Sequence, residues 1–262
     1  MKIMLTGYNG KMGKAIIEAA YNTQHSQDRG IGTETEMIEI AAGIDINPAP
    51  INFSFPVFYK PSDYTGELDV IIDFSHHSAI DALLSYAEAR KTPLVIATTG
   101  HTPEELALVD ASSANIPIFR SANMSVGVNL VAQLAKKAAA LLGDSFDIEI
   151  IEKHHNQKLD APSGTAYLIG DEIKSVLDDC EYVYDRHNVR EKRDKREIGL
   201  HAVRGGTIIG EHEVIFAGTN ELISISHSAQ SREMFAMGAL TAARFIKDKP
   251  PGLYNMNDLI NI

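Results

Sequence analysis

The chain has 262 residues, 44% hydrophobic and 23% charged, which is enough apolar material for one large domain or two modest ones. Its net charge is −11, from 24 Lys and Arg against 35 Asp and Glu, which argues against a nucleic-acid binder, since that needs a basic face. Cys180 is the single cysteine, so no intrachain disulfide forms and a reducing compartment fits. No apolar run approaches the ~20 residues of a membrane helix. The opening MKIMLTGYNGKMG reaches glycine too early for a signal peptide, so the expected location is cytoplasmic, away from membranes.

Residues 2–6 are a short apolar run that reads as a buried strand. Gly7-Tyr8-Asn9-Gly10-Lys11-Met12-Gly13 follows at once, and residues 14–21 have helical composition. Strand, glycine loop and helix are the context in which G-x-x-G-x-x-G reads as a dinucleotide fingerprint. Gly7 makes the tight turn, Gly10 lets the pyrophosphate approach the backbone, and Gly13 lets the helix pack on the strand. The plain alternative is a glycine-rich turn. Residues 22–37 read as a long surface loop. Residues 38–44 form a second strand ending at Asp45, an acid placed either to hold the adenosine ribose or simply to end the strand.

Residues 47–61 are proline-rich and irregular. Residues 68–74 (LDVIIDF) make a third buried strand, ending at Phe74 and Ser75, and residues 76–90 a helix whose His76 and His77 read as solvated. Residues 93–97 are the next strand, running through Ala97 into Thr98-Thr99-Gly100. Thr102 is the expected N-cap of another helix, with Pro103 at its first position. Residues 116–120 are one more strand, ending in Ser121-Ala122-Asn123-Met124. Strands alternating with helices give a parallel, doubly wound α/β sheet. Ligands of such sheets bind beyond the carboxyl ends of the strands, where all these loops fall.

Residues 125–142 are helical with an alanine-rich face. Residues 146–153 alternate as a strand and deliver Glu152 to Ala166, EKHHNQKLDAPSGTA. His154, His155 and Lys158 are donors that can meet an anion or give up a proton, and a histidine titrates nearest neutrality. Residues 160–162 read as extended ahead of the proline. Ser163 stands where an N-cap belongs, so the amides of Gly164 and Thr165 open a helix and offer an anion site. The charge run 186–197 reads as a solvated loop. Residues 198–203, 207–216 and 221–227 read as antiparallel strands. Glu211 and His212 look catalytic but have no partner cluster in sequence, so both read as structural. Met234, Met237, Leu240 and Phe245 have helical spacing and read as core. No histidine, cysteine or acid cluster has metal-ligand spacing.

The run Glu152-x-His154-His155-x-x-Lys158-x-Asp160-Ala161-Pro162-Ser163-Gly164-Thr165-Ala166 resembles, without a gap, the signature of the 4-hydroxy-tetrahydrodipicolinate reductase (dihydrodipicolinate reductase) family. The likeness spans nearly the whole chain and is clear again at 7–13, 98–100 and 121–127. It is thin over 22–65 and 178–197. It implies an oxidoreductase of lysine and diaminopimelate biosynthesis that uses NADH or NADPH on a small dicarboxylate, assembled as a homotetramer. It implies a Rossmann-type domain over 1–122, to which 232–262 returns. Residues 123–231 become an α+β substrate and oligomerisation domain with a mostly antiparallel sheet. His154 becomes the proton donor and Lys158 its electrostatic partner or a second donor. His155, Ser163, Gly164, Thr165 and Thr99 become substrate contacts. Gly7 through Met12, Asp45, Phe74, Ala97 through Gly100 and Ser121 through Met124 become cofactor contacts. Arg232 resembles a family position near the cofactor. The rival readings are another two-domain dehydrogenase acting on an amino acid, and a dinucleotide-sensing regulator without turnover.

Overall fold

The structure, a computed structural model, describes residues 1–25, 37–48 and 55–261. It divides into two compact units, Met1–Ser125 with Arg232–Asn261, and Val126–Ser231.

The first unit is built on β1 (Lys2–Thr6), α1 (Lys11–His25), β2 (Glu39–Ile44), β3 (Val57–Phe58), β4 (Val70–Asp73), α2 (Ile80–Arg90), β5 (Leu94–Ile96), α3 (Pro103–Ser113) and β6 (Pro117–Arg120). The strands lie in the order β3, β2, β1, β4, β5, β6, and every pairing is parallel. Their side chains are buried on both faces, as continuous runs such as Ile3-Met4-Leu5 and Ile71-Ile72 require. Starting from β1, the chain winds outward to β2 and β3, then returns to β4 and winds the other way. The crevice between β1 and β4 is therefore the point where strand order reverses, the usual ligand position of such sheets.

Local chemistry sets the ends of these elements. Thr102 caps α3 by accepting from the Glu105 amide, and Glu105 reaches back to the Thr102 amide, with Pro103 at the first position. The helix α1 begins three residues earlier and ends four later than its composition suggests. The expected loop at 22–37 thus loses its first residues to α1, and 26–36 lie outside the described residues. The expected irregular run at 47–61 contains β3, which adds an edge strand; 49–54 lie outside the described residues. His77 is not simply solvated, since its Nδ1 sits 2.9 Å from the Glu105 carboxylate.

The second unit holds α4 (Val126–Leu142), β7 (Asp147–His154), α5 (Gly164–Lys174), β8 (Glu181–Val183), β9 (Glu197–Arg204), β10 (Glu211–Ala217) and β11 (Leu222–Ser228). Strand order is β11, β10, β7, β9, β8. β11–β10 and β10–β7 are antiparallel, but β7–β9 and β9–β8 are parallel. The sheet is therefore mixed, where a mostly antiparallel one was expected. α4 and α5 cover one face, packing Ala132, Ala135, Ile169 and Ile173 on Ile148, Ile150, Leu200, Val214 and Phe216. The charge run 186–197 is not merely solvated. Arg193 bonds Asp147 and Glu149 and the carbonyls of Ile148 and Glu197, and Arg186 pairs with Glu197.

The chain then comes back to the first unit. α6 (Glu233–Ile246) places Ala236, Ala239, Leu240, Ala242, Ala243 and Ile246 in that unit's core. β12 (Gly252–Tyr254) pairs parallel with β6 as a seventh strand, and α7 (Met256–Ile260) follows. Of the four residues read as core here, Leu240 is fully buried, while Met237 is 39% exposed. Among the described residues, no helix is long and apolar enough to cross a membrane.

Candidate active site

Two sites emerge, one in each unit. In the first, the glycine loop is a cradle that side chains would fill. Gly7 has φ +72°, and a Cβ there would strike the Phe74 carbonyl. One on Gly13 would strike the backbone of Gly7 and Tyr8. The loop is pinned by Gly7 N–H to the Ile44 carbonyl at 2.8 Å and by Gly10 N–H to the Gly7 carbonyl at 3.1 Å. α1 begins directly behind it, and its first-turn amides lack intrahelical acceptors.

Below the loop, buried Asp73 ties the reversal point together. It accepts from the Thr6 hydroxyl at 2.5 Å and from the Ser75 hydroxyl and amide. A cavity of about 510 Å³ opens here, bounded by Gly7, Gly10, Asp45, Phe74 and, unforeseen in the sequence, Lys60 and His76. Asp45 ends β2 as expected. One of its oxygens accepts from the Asn47 amide and the other from the Asn9 amide. Lys11 and Lys14, at and just after the glycine loop, are the lysines that the sequence offers to a 2′-phosphate against Asp45, and neither is among the residues lining the cavity.

The remaining loops cluster at the same strand ends. Ala97 N–H bonds the Asp73 carbonyl, Thr98 lies above it, and Gly100 turns at φ +85°. Thr99 is exposed. Ser121 bonds the Asn123 carbonyl, and Asn123 in turn accepts from the Ser125 amide, which shapes the Ala122–Met124 turn. Gly238 of α6 lies so close to the Met124 carbonyl that no Cβ fits there. Arg232 stands at the N-cap of α6 and is exposed. The glycine cradle, the helix start and an acid ending β2 fit a dinucleotide.

In the second unit, β7 carries the site by its alternation. Ile148, Ile150, Glu152 and His154 share its buried face, since strand side chains repeat every second residue. The first two join the apolar core, and the last two continue the same face as a polar pair. Glu152 is fully buried, and its Oε2 lies 2.6 Å from His154 Nδ1. Arg204, opposite His154 on β9, grips both oxygens of Glu152 at 2.7 Å. Ser163 N–H donates to Glu152 Oε1 at 2.9 Å. Burial pushes the Glu152 carboxyl up, but the bonds from Arg204 and His154 overcome it and hold the group below the usual carboxylate range.

His212, opposite Glu152 on β10, completes the cluster. Its ring meets His154 edge to face at 5.2 Å, and its Nε2 lies 3.0 Å from Ser163 Oγ. Burial, and then the neighbouring His154, push His212 down to about 4, so it is neutral near pH 7. The partners that His212 lacks in its sequence neighbourhood are thus supplied by β7 and the start of α5. Glu211 faces the other side of the sheet and pairs with Lys153 at 2.9 Å.

Ser163 caps α5 by accepting from the Ala166 amide, as its sequence position suggested. Gly164 opens the helix, with nothing within 4 Å of where its Cβ would stand; Thr165 follows. The Ala161–Pro162 peptide is cis. Lys158 does not meet His154: its ammonium pairs with Asp160 at 2.8 Å. His155 lies beside the cluster, and its carbonyl accepts from the Lys158 amide. The signals missed were Glu152, quoted in the motif without a role, and Arg204, which lies far from it in sequence. Among the described residues, no group of three His, Cys, Asp or Glu is placed to hold a metal ion.

Residues 1–124 match the family described as dihydrodipicolinate reductase, N-terminus, and residues 127–260 match its C-terminus. The chain belongs to the dihydrodipicolinate reductase family. A relative from Caldanaerobacter subterraneus subsp. tengcongensis, named 4-hydroxy-tetrahydrodipicolinate reductase, is 52% identical over 99% of this chain and 98% of its own. One of the same name from Clostridium tetani is 50% identical over 100% and 97%. The solved structure of a dipicolinate-bound dihydrodipicolinate reductase from Paenisporosarcina sp. TG-14 shares the fold with TM-score 0.79 and 24% identity, covering 99% of each chain. This family member is an NAD(P)H-dependent oxidoreductase, and the family serves lysine and diaminopimelate synthesis.

Proposed function

We propose that this chain reduces 4-hydroxy-tetrahydrodipicolinate, with loss of water, to tetrahydrodipicolinate. The observation that carries the reading is the buried Glu152–His154 pair beside the Ser163-capped start of α5, in a chain whose relatives bear that activity as their name. The cofactor, when bound in the cradle of the first unit, supplies a hydride. His154 gives a proton to the ring nitrogen on which the displaced electron pair collects. Lys158 and His155 offset the substrate's negative charge. Ser163, Gly164 and Thr165 at the opening of α5 hold a carboxylate. Thr99 is a further substrate contact.

Cofactor choice turns on two opposed groups. Asp45 can accept from the ribose hydroxyls and repels a 2′-phosphate. Lys60, on the same cavity wall, attracts one. NADH is therefore expected to serve at least as well as NADPH. The experiment is a steady-state assay at low salt with freshly made substrate and each dinucleotide in turn. Oxidation of NADH that depends on that substrate, inhibited competitively by pyridine-2,6-dicarboxylate, is the expected result. The dipicolinate-bound relative motivates that probe. No substrate-dependent turnover would sink the assignment. An NADPH preference above about tenfold, ~1.4 kcal/mol, would mean that Lys60 outweighs Asp45, and Lys60→Ala should then abolish it.

A homotetramer built through the sheet of the second unit is part of the same reading. Its support is the exposed apolar edge at Leu222 and Ile223 of β11. Light scattering should give the mass of four chains, and a monomer would refute it.

A further inference from the structure

Arg204 touches both halves of the signature run. Its two terminal nitrogens take the two oxygens of Glu152, and one of them also donates to the Asp160 carbonyl at 2.6 Å. Glu152 has no exposed surface, and its remaining bonds run to His154 Nδ1 and the Ser163 amide. One carboxylate thus fastens the imidazole, the helix cap and the guanidinium. A planar fork suits this task, and an ammonium would not span both oxygens.

The consequence concerns which ring nitrogen is free. A carboxylate facing Nδ1 accepts a proton and cannot give one, so Nδ1 carries hydrogen in either ring state. Nε2 is left as the atom that gains and loses the working proton. It lies beside Gly210, where a Cβ would stand 3.0 Å away. We propose that Glu152 and Arg204 are positioning residues: Glu152 holds His154 in the Nδ1–H form with Nε2 outward, and Arg204 holds Glu152. This deepens the reading of His154 as proton donor and rests on it.

Among the described residues, the charged and titratable groups around the ring are Glu152 from β7, Arg204 from β9, His212 from β10 with His227 behind it on β11, and His155 and the Lys158–Asp160 pair from the loop. His212 is neutral, and Lys158 is offset by Asp160. Glu152 and Arg204 are therefore the pair whose loss changes the field at the ring. Without the anion, the protonated ring loses its nearest stabilising charge while the guanidinium stays. Without the guanidinium, the anion acts unopposed.

The test pairs two measurements. In the wild-type holoenzyme, nitrogen-15 NMR should find neutral His154 mainly as the Nδ1–H tautomer, a readout that needs no turnover. A dominant Nε2–H tautomer would overturn the proposal while leaving the reductase reading intact. Glu152→Gln should lower kcat with little change in the Kd for NADH, and move the alkaline limb of kcat to lower pH by about one unit, the usual effect of an adjacent charge. Arg204→Met should move that limb upward. Arg204→Lys, which keeps the charge without the fork, should return the limb toward wild type but not restore full kcat. If the variants lose stability or rate while the limb stays fixed, the two residues are structural only and the proposal fails.

Discussion

Replacing His154 by alanine is expected to lower kcat by about 10²-fold or more, the ordinary worth of a positioned proton donor, while NADH still binds. The ring is 90% removed from solvent, and its Nδ1 faces Glu152 at 2.6 Å. Truncation should spare the fold, because Glu152 keeps Arg204 and the Ser163 amide and is not left an unpaired buried charge. The cofactor cradle lies in the other unit and is built from other residues. A His154→Ala enzyme with near wild-type turnover would remove it from the chemistry. Lys158→Ala is expected to slow turnover too, and it removes the ammonium partner of Asp160.

Gly7→Ala should damage the first unit and its cofactor affinity together. The residue sits at φ +72°, a region that costs a side-chain-bearing residue roughly 1–2 kcal/mol. Its new Cβ would also strike the Phe74 carbonyl, backbone that cannot rotate away. Overpacking of that kind adds about 1–3 kcal/mol. Together these should lower Tm on the order of 10 °C and weaken NADH binding at least tenfold, ~1.4 kcal/mol. Gly100→Ala is the internal control. It has φ +85° but nothing within 4 Å of its Cβ, so only the dihedral penalty applies. If Gly7→Ala melts like Gly100→Ala, the close approach to Phe74 is unimportant.

The parallel sheet was legible because buried strands and their glycine ends are local signals. Residues 7–13 and the caps at Thr102 and Ser163 were legible for the same reason. The mixed sheet was not. Gly205-Gly206 between β9 and β10 looks like a hairpin turn, yet β7 lies between those strands. A strand from earlier in the chain has taken the place of the sequence neighbour, and no local pattern announces that. The same insertion hides the site. Arg204 reaches Glu152 across 52 residues, and His212 reaches Ser163 across 49. Their parity was readable, since His212, Val214 and Phe216 alternate onto one face. Their register against Glu152 was not. Lys60 was missed because β3 is two residues long and sits in a proline-rich run.

The return of α6 to the first unit has a consequence for the order of synthesis. The core around Ile3, Leu5, Tyr8 and Ile72 is closed by Ala236, Ala239, Leu240 and Ile246. A ribosome translating at about 5–20 residues per second makes the intervening unit before those residues emerge, a delay on the order of ten seconds. During that interval the first unit has six of its seven strands but neither β12 nor its lid, and its apolar face is open to chaperones. The second unit, contiguous from Val126 to Ser231, can finish first although it is made second. The half that starts the chain is the last to mature.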